Sequence, residues 1–231
     1  MSLAAFDWRP AGVDALTLVF GDRVDPHLSR NVLTLYHHLR TLNVPGIVEL
    51  IPSYATLHIQ FDPTHHAHEP LVHQLRTLAA SLHHIPDEAE GALKTIPTWY
   101  APQSGPDLER IARLHRMSVE EVIAIHSGTE YRVYALGFVP GFAYMGTIDP
   151  RIATPRLPTP RTRIPAGSVA LANTQAAVYP SVSPGGWNLL GRTWLTMFEP
   201  DREGFSYLMP GDRVRFVPIS LEEYRDHGGE V

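Results

Sequence analysis

The 231-residue chain carries 19 Lys and Arg against 24 Asp and Glu, which gives a formal charge of -5, and it has no cysteine. The acidic balance argues against general nucleic-acid binding, and the missing cysteines exclude disulfides, thiolate catalysis and cysteine zinc sites. No apolar run is long enough to span a membrane and no basic-then-apolar leader is present, so we expect a cytoplasmic protein.

The first third of the chain predicts an α+β domain. Residues 14–20 read as a strand, and Asp25 followed by Pro26 predicts a helix start, because Asp caps helix N-termini and proline is tolerated at the first helical position. Leucine and valine spaced three or four residues apart continue that helix to Leu42. An apolar run from 46 to 51 and the apolar-polar alternation over 56–61 then predict two strands of a hairpin.

A second helix and one more strand complete this domain in our prediction. The helix has Leu71, Leu75, Leu78 and Leu82 on its buried face, and residues 92–96 predict the closing strand. The resulting order of strand, helix, strand, strand, helix, strand is the ferredoxin-like pattern, which we assign to residues 1–97. Lys94, the only lysine, falls in the last strand, so the P-loop signature with its phosphate-binding lysine cannot occur.

Residues 98–231 predict an all-β barrel. Of the 21 prolines, 14 lie from Pro97 onward, between short apolar runs and glycine-rich turns. Two short helices come first. One begins at Gly105-Pro106-Asp107, and Ser118 with Glu121 three residues later forms the capping-box signature of the other.

The 13 histidines invite a metal hypothesis, but their spacing fits no zinc signature. The densest group surrounds the start of the second helix, and we interpret it as a solvated helix face rather than a metal site. His126 lies on the apolar face of its helix, where two roles stay open: a hydrogen-bonded core histidine or a proton-transfer group. The dense group consists of His65, His66, His68 and His73.

The segment from Arg151 to Phe198 contains five arginines and no acidic residue. Either these arginines are solvated, or they form a surface that binds a carboxylate, a phosphate or an acidic partner. Prolines and glycines crowd the wider segment from Tyr131 to Thr193 and fix several rigid turns, which could merely turn barrel corners. Its aromatic residues and unopposed arginines favour a rigid binding face, and we expect Trp187 on that face to be partly exposed.

The motifs of this segment resemble a known family. The run GFVPGFAYMG…TPRLPTPRTRIPAGSVALANTQAAVYPSVSPGGWNLLGRT, the ending PGDRVRFVPI and the upstream GPDLERIA are similar to the KipI / allophanate hydrolase subunit 1 family, also described as carboxyltransferase subdomains C and D. The resemblance covers nearly the whole chain. It implies an α+β N-terminal domain followed by a cyclophilin-like barrel.

The resemblance also implies a function. Most bacterial members resemble the B subunit of an ATP-dependent 5-oxoprolinase, which cleaves 5-oxo-L-proline to L-glutamate. The B subunit works with a biotin-dependent carboxylase-like C subunit and a LamB/YcsF-like A subunit. Without a P-loop here, we expect ATP to be bound by the complex. Other members are inhibitors of a sporulation histidine kinase or components of urea carboxylase, and the sequence leaves these alternatives open.

Two sets of residues are assigned to the site as hypotheses. Arginines would clamp an anion, because their planar fork suits carboxylates and phosphates. The predicted catalytic or orienting residues are His126, Tyr144, Arg156 and Arg161. The predicted substrate-binding residues are Phe138, Pro140, Gly141, Phe142, Ser168, Gln175, Tyr179, Gly185, Gly186, Trp187, Arg192 and Thr193.

Overall fold

The computed structural model describes residue 3, residues 5–82 and residues 91–231, and the chain divides into two compact units, 1–90 and 91–231. The strand Leu93–Trp99 lies wholly in the second unit, so the predicted boundary after residue 97 would cut it. The longest helix, Pro26–Leu42, has 17 residues. Among the described helices, none combines the length and the apolar character needed to cross a membrane.

The first unit is an antiparallel sheet with two helices. Its elements are β1 (Asp7–Pro10), β2 (Ala15–Val19), α1 (Pro26–Leu42), β3 (Ile47–Ser53), β4 (Thr56–Phe61) and α2 (His68–Ser81). The sheet order is β1-β2-β4-β3, and the β3-β4 hairpin is confirmed by a register that ends in Ser53 opposite Thr56. The predicted helix start is also confirmed, since the Asp25 carboxylate accepts the backbone N–H of His27 at 2.8 Å and Pro26 is the first helical residue.

The ferredoxin-like interpretation of this unit is not confirmed. It required residues 92–96 to form the fourth strand, but the strand Leu93–Trp99 pairs within the second unit. The edge next to β2 is taken instead by β1, which runs antiparallel to it. An apolar run indicates a buried strand without saying which strand it will pair with, and this is why the prediction placed the right strand in the wrong sheet.

The second unit is built around a closed barrel. Its elements are β5 (Leu93–Trp99), α3 (Leu108–His115), α4 (Val119–Gly128), β6 (Glu130–Leu136), β7 (Ala143–Gly146), β8 (Arg161–Ile164), β9 (Ser168–Ala172), β10 (Gln175–Val178), β11 (Ser183–Gly185), β12 (Asn188–Arg192), β13 (Arg213–Ile219) and α5 (Leu221–Asp226). Seven strands close the barrel in the order β10-β7-β6-β13-β5-β12-β9, which confirms the predicted barrel. Strands β8 and β11 form a separate two-stranded sheet.

Local chemistry fixes the two helices that precede most of the barrel strands. The capping box of α4 is confirmed: the Ser118 hydroxyl accepts the Glu121 N–H at 3.1 Å, and the Glu121 carboxylate accepts the Ser118 N–H at 2.7 Å. Just before α3, Gly105 lies so close to β12 that a Cβ there would come within 2.0 Å of the Leu190 carbonyl oxygen. Only glycine permits this approach, which places Asp107 against β12.

Alternation along β9 separates two packed groups. Val169 and Leu171 join the main core, together with side chains from β6, β13 and the two helices, whereas Ala170 and Ala172 join a smaller aromatic group. Because neighbouring side chains of a strand point to opposite faces, this aromatic group lies on the other side of the sheet from the main core. The predicted site residues divide between these two groups and the loops around them.

Candidate functional site: the arginine–aromatic cluster

Four aromatic rings and one arginine form what we call the arginine–aromatic cluster: Phe142, Tyr144, Tyr179, Trp187 and Arg156. Phe142 is its centre, with ring centroids 4.9 Å from Tyr144, 5.3 Å from Tyr179 and 5.6 Å from Trp187. The three contacts are edge-on, the arrangement in which aromatic pairs attract each other. All five residues were predicted as site residues, and the structure brings them together.

Trp187 is more buried than predicted. The residue is 4% exposed, and the rings of Phe142 and Tyr144 lie beside it with centroids 5.6 Å and 6.1 Å away. The expectation of a partly exposed tryptophan is therefore wrong. A large ring in a loop next to an aromatic neighbour gains more by packing on it than by facing water.

Arg156 supplies the positive charge of the cluster. Its guanidinium carbon lies 5.7 Å from the centre of the Trp187 ring, within the range of a cation–π interaction. The residue is exposed, and no carboxylate among the described residues pairs with it. Arg156 therefore combines an orientation set by Trp187 with a charge that is free to meet an anion.

The charge of this arginine acts on the Tyr179 hydroxyl. Burial raises the pKa of Tyr179, while the backbone N–H of Trp187 and the charges of Arg156 and Arg161 oppose that rise. The hydroxyl therefore stays protonated at neutral pH and can donate a hydrogen bond. Gly185 makes room for it, since a Cβ at that position would come within 2.2 Å of the Tyr179 oxygen.

Arg161 forms an ion pair with a buried carboxylate. Its Nη2 donates to the Asp107 carboxylate at 2.9 Å, and Asp107 is only 5% exposed. The other Asp107 oxygen accepts the backbone N–H of Leu189 at 2.7 Å. The charge of Arg161 is thus matched by a buried carboxylate, and this pair holds the β8 region to α3 and β12. Its Nη1 is buried without a hydrogen-bond partner, and its part in the anion clamp stays a prediction.

Asp107 was missed as a site residue, although its Gly-Pro-Asp context was interpreted correctly as the start of a helix. The sequence signal that could have found it is weak, because its partner Arg161 lies far along the chain. Arg110, one turn further along α3, makes a similar connection by donating to the amide oxygen of Asn188. Asn188 is fully buried and donates to the Pro155 carbonyl oxygen at 3.0 Å. Through these contacts α3 supports the segment that carries Arg156.

His126 does not belong to the cluster. It is fully buried in the main core, where its Nδ1 is 2.7 Å from the Tyr100 hydroxyl and its ring is 4.5 Å from that of Phe216. Burial lowers the pKa of His126 to about 3, so the imidazole is neutral at physiological pH. These contacts match the hydrogen-bonded core histidine, one of the two roles that the sequence left open, and the catalytic role of His126 stays a prediction.

Two cavities take up most of the other predicted residues. Phe138, Pro140 and Gly141 line one of about 460 Å³ together with Phe198 and Phe205. Arg192 and Thr193 line another, of about 350 Å³.

The last four predicted residues lie in or beside strands. Ser168 is buried in β9 and its hydroxyl has no partner. Gln175 pairs in register with Ala172 and Gly146. Gly185 and Gly186 stand beside the cluster, and the Gly186 carbonyl accepts the Leu157 N–H at 2.7 Å.

The histidines around the start of α2 bind backbone and side chains instead of each other. His65 pairs with Asp62 at 3.2 Å, the His66 ring contacts the Pro45 carbonyl oxygen at 2.7 Å, and His68 contacts the Gly12 carbonyl oxygen at 3.0 Å. Within residues 5–82 and 91–231, no three side chains of metal-binding type come together in a metal-sized group.

Comparison with known proteins gives a family match over most of the chain. Residues 6–208 match the family described as carboxyltransferase domain, subdomain C and D. The chain is 36% identical over 232 residues to the 5-oxoprolinase B subunit of Bacillus subtilis (strain 168), covering 95% of each chain.

Solved structures agree with the fold. The crystal structure of TTHA0988 matches with a TM-score of 0.80 and 37% identity over 90% of this chain, which spans 40% of the length of that protein. The urea carboxylase of Kluyveromyces lactis matches with a TM-score of 0.75 at 20% identity, covering 96% of this chain and 22% of that one. At this identity the second match indicates a shared fold alone.

Proposed function

The chain belongs to the family of carboxyltransferase domain subdomains C and D, and on this premise we propose that it is one component of a 5-oxoprolinase, the enzyme that opens 5-oxo-L-proline to L-glutamate. The observation that carries the proposal is the match to a 5-oxoprolinase B subunit over nearly the full length of both chains. A shared domain alone would match only part of such a relative, as the urea carboxylase does.

We propose that the reaction depends on ATP and that ATP is bound by a partner chain. In the part of the chain that the structure describes, the arginine–aromatic cluster offers one unpaired guanidinium, and the sequence lacks a P-loop lysine. These residues do not fit a nucleotide with its several phosphates. The partners in this proposal are the biotin-dependent carboxylase-like C subunit and the LamB/YcsF-like A subunit. The cytoplasmic location stays a prediction.

Within the complex, the cluster would stabilise the negative charge that develops on the substrate during ring opening. Opening a lactam places negative charge on the ring oxygen, and a preorganised cation beside that oxygen stabilises the transition state more than the ground state. Arg156 is held over Trp187 and carries no competing carboxylate, so its guanidinium is preorganised in this sense. The protonated Tyr179 hydroxyl is a nearby donor, and Tyr144 stays the predicted orienting group.

Reconstitution tests the proposal. The chain and the two partner subunits from the same source would be purified separately and together, and glutamate formation from 5-oxoproline would be measured with and without ATP. We expect turnover only from the combined subunits with ATP. Robust turnover by this chain alone would contradict the role as one component of a complex. Stable binding to a histidine kinase, with no turnover from any combination, would instead support the inhibitor alternative.

A further inference from the structure

The cavity of about 350 Å³ lies in the second unit and is separate from the arginine–aromatic cluster. Most of its walls come from residues 163–167, residues 192–196 and residues 228–230, and Pro180, Val182 and Tyr224 complete them. The volume is in the range of small-molecule sites, which begins at about 300 Å³. None of the residues that form the cluster lines this cavity.

The charges of the cavity favour an anion. Arg163 and Arg192 line it, and Glu230 is the acidic residue among its walls. Glu230 is exposed, and it contributes its backbone carbonyl oxygen, which accepts a hydrogen bond from Arg192 Nη1 at 2.9 Å. The Arg192 Nε is buried and has no hydrogen-bond partner. The same guanidinium also hydrogen-bonds the Tyr224 side chain, and its Nε is available to an acceptor bound beside it.

The remaining walls define the size and polarity of the occupant. Pro165, Pro180, Val182 and Leu195 give the cavity an apolar side. Gly167 has φ +76, and a Cβ there would come within 2.2 Å of the Thr193 carbonyl oxygen, so the chain can pass close to β12 only without a side chain at this position. A charged N–H donor and apolar wall residues together suit a carboxylate attached to a small ring or short hydrocarbon.

We propose that this cavity binds a small carboxylate, with Arg192 as the principal contact and Arg163 as a second charge at the wall. The guanidinium of Arg192 would use its free Nε to donate to one carboxylate oxygen. The proposal does not rest on the 5-oxoprolinase assignment, because it concerns a different set of residues and makes its claim about binding rather than turnover.

Two tryptophans report on the two sites separately. Trp194 lines the cavity and stacks on His227 at 4.3 Å, whereas Trp187 lies in the cluster. The isolated full chain, labelled with ¹⁵N, would be titrated with acetate, 5-oxoproline and inorganic phosphate while the indole N–H signals are followed by NMR. We expect a saturable shift of the Trp194 signal with at least one carboxylate and a constant Trp187 signal.

Substitutions identify the binding group. Arg192→Gln is expected to weaken carboxylate binding by about tenfold or more, as is usual for loss of a charged hydrogen bond. Arg192→Lys is expected to weaken it as well, because lysine has a carbon where arginine has its Nε–H donor. Arg163→Gln should weaken binding less, and it keeps the test valid if the Arg192 variants fold poorly. Arg225→Gln removes the same charge from an exposed position of α5 that does not line the cavity, so it should bind as the parent does.

Several results would overturn the proposal. They are the absence of a saturable Trp194 shift, a shift confined to Trp187, equal weakening in Arg225→Gln, or binding of phosphate in preference to both carboxylates. Because no partner chain takes part in these measurements, such a failure would leave the reconstitution result untouched. Failed reconstitution would likewise leave a positive binding result standing.

Discussion

Two regions of the second unit surround an ionisable side chain with aromatic rings, but only one of them keeps it charged. In the main core, His126 packs against Tyr100, Tyr131 and Phe216, with ring centroids 4.5–5.9 Å apart. In the arginine–aromatic cluster, Arg156 lies over Trp187 and remains exposed. The rings of the main core bury His126 completely, and we call them with His126 the closed region. The arginine–aromatic cluster leaves Arg156 exposed, and we call it the open region.

The chemistry of the two side chains explains the difference. Histidine can enter an apolar core because it can lose its proton there, and burial alone lowers its pKa to about 3. Arginine keeps its charge in proteins, so it must stay near water or find a buried carboxylate, as Arg161 does with Asp107. The solvent exposure of an ionisable side chain is therefore a better indicator of a functional role than the aromatic rings around it.

The largest expected effect is a loss of turnover when the charge of the open region is removed. Arg156→Gln removes the charge over Trp187 while leaving a side chain of similar length. In the reconstituted 5-oxoprolinase, loss of one preorganised charge contact is expected to lower turnover about 10²–10³-fold, or about 2.7–4 kcal/mol. Arg151→Gln is the matched control, since Arg151 is an exposed arginine of the same acid-free segment and pairs with Asp149. Near-normal turnover of a folded Arg156→Gln complex would show that the cluster is not the reacting site.

The second effect concerns Arg161, which pairs with the buried Asp107 carboxylate. Asp107→Ala leaves Arg161 without its carboxylate and the Leu189 N–H without its acceptor. We expect the free energy of unfolding to fall by about 3 kcal/mol, near the lower end for a broken buried pair, because Arg161 is 29% exposed. Chemical denaturation measures it. Glu109→Ala, which breaks an exposed pair with Arg113, is the control and should change stability by less than about 1 kcal/mol.

A third, smaller effect appears as pH dependence in the closed region. Since burial lowers the pKa of His126 from 6.5 to about 3, the unfolded chain binds a proton between these values that the folded chain does not. The stability that the neutral, buried His126 contributes is therefore fully present above pH 6.5 and is lost as pH falls toward 3. We expect the unfolding free energy to drop by about 2 kcal/mol between pH 7 and pH 5 on this account.

Two variants isolate the part due to His126. His126→Leu should lose this component of the pH dependence, whereas His73→Leu, at an exposed position of α2, should keep it. Denaturation curves at both pH values provide the measurement. An unchanged slope in His126→Leu would mean that the folded protein binds a proton at His126, and the closed region would then be open to water.

The smallest effect tests the hydrogen bond between the Tyr100 hydroxyl and the His126 ring. Tyr100→Phe removes the hydroxyl that lies 2.7 Å from His126 Nδ1 and should lower stability by about 1 kcal/mol. When His126→Leu is added, removal of both partners should cost less than the sum of the two single changes, because no unpaired polar group remains. Strict additivity in this double-mutant cycle would contradict the hydrogen bond.

Local rules predicted the parts of the fold that depend on neighbouring residues. The Asp25-Pro26 helix start and the Ser118/Glu121 capping box are confirmed because each is complete within four residues. β1 (Asp7–Pro10) was not predicted, since its four residues carry no apolar alternation and its place is decided by pairing with β2. Pairing of distant segments is the information that the local pattern lacks.

The same limit divides the predicted site residues. Composition found the rigid, arginine-rich segment, and the structure brings Arg156, Phe142, Tyr144, Tyr179 and Trp187 together. It did not show that Arg161 is neutralised, because Asp107 lies outside the acid-free stretch and meets it only in the folded chain. A count of charges along a segment cannot distinguish a paired arginine from a free one.

The parallel pairing of β5 with β13 has a consequence for synthesis on the ribosome. Leu93 to Trp99 align with Arg213 to Ile219. The barrel can therefore close only after its last strand has been synthesised and has paired with its first. Pairings between segments so distant in sequence form slowly, because the whole intervening loop must be ordered first. We therefore expect the first unit to fold early during translation, while the nascent barrel strands stay exposed and dependent on chaperones until β13 has left the exit tunnel.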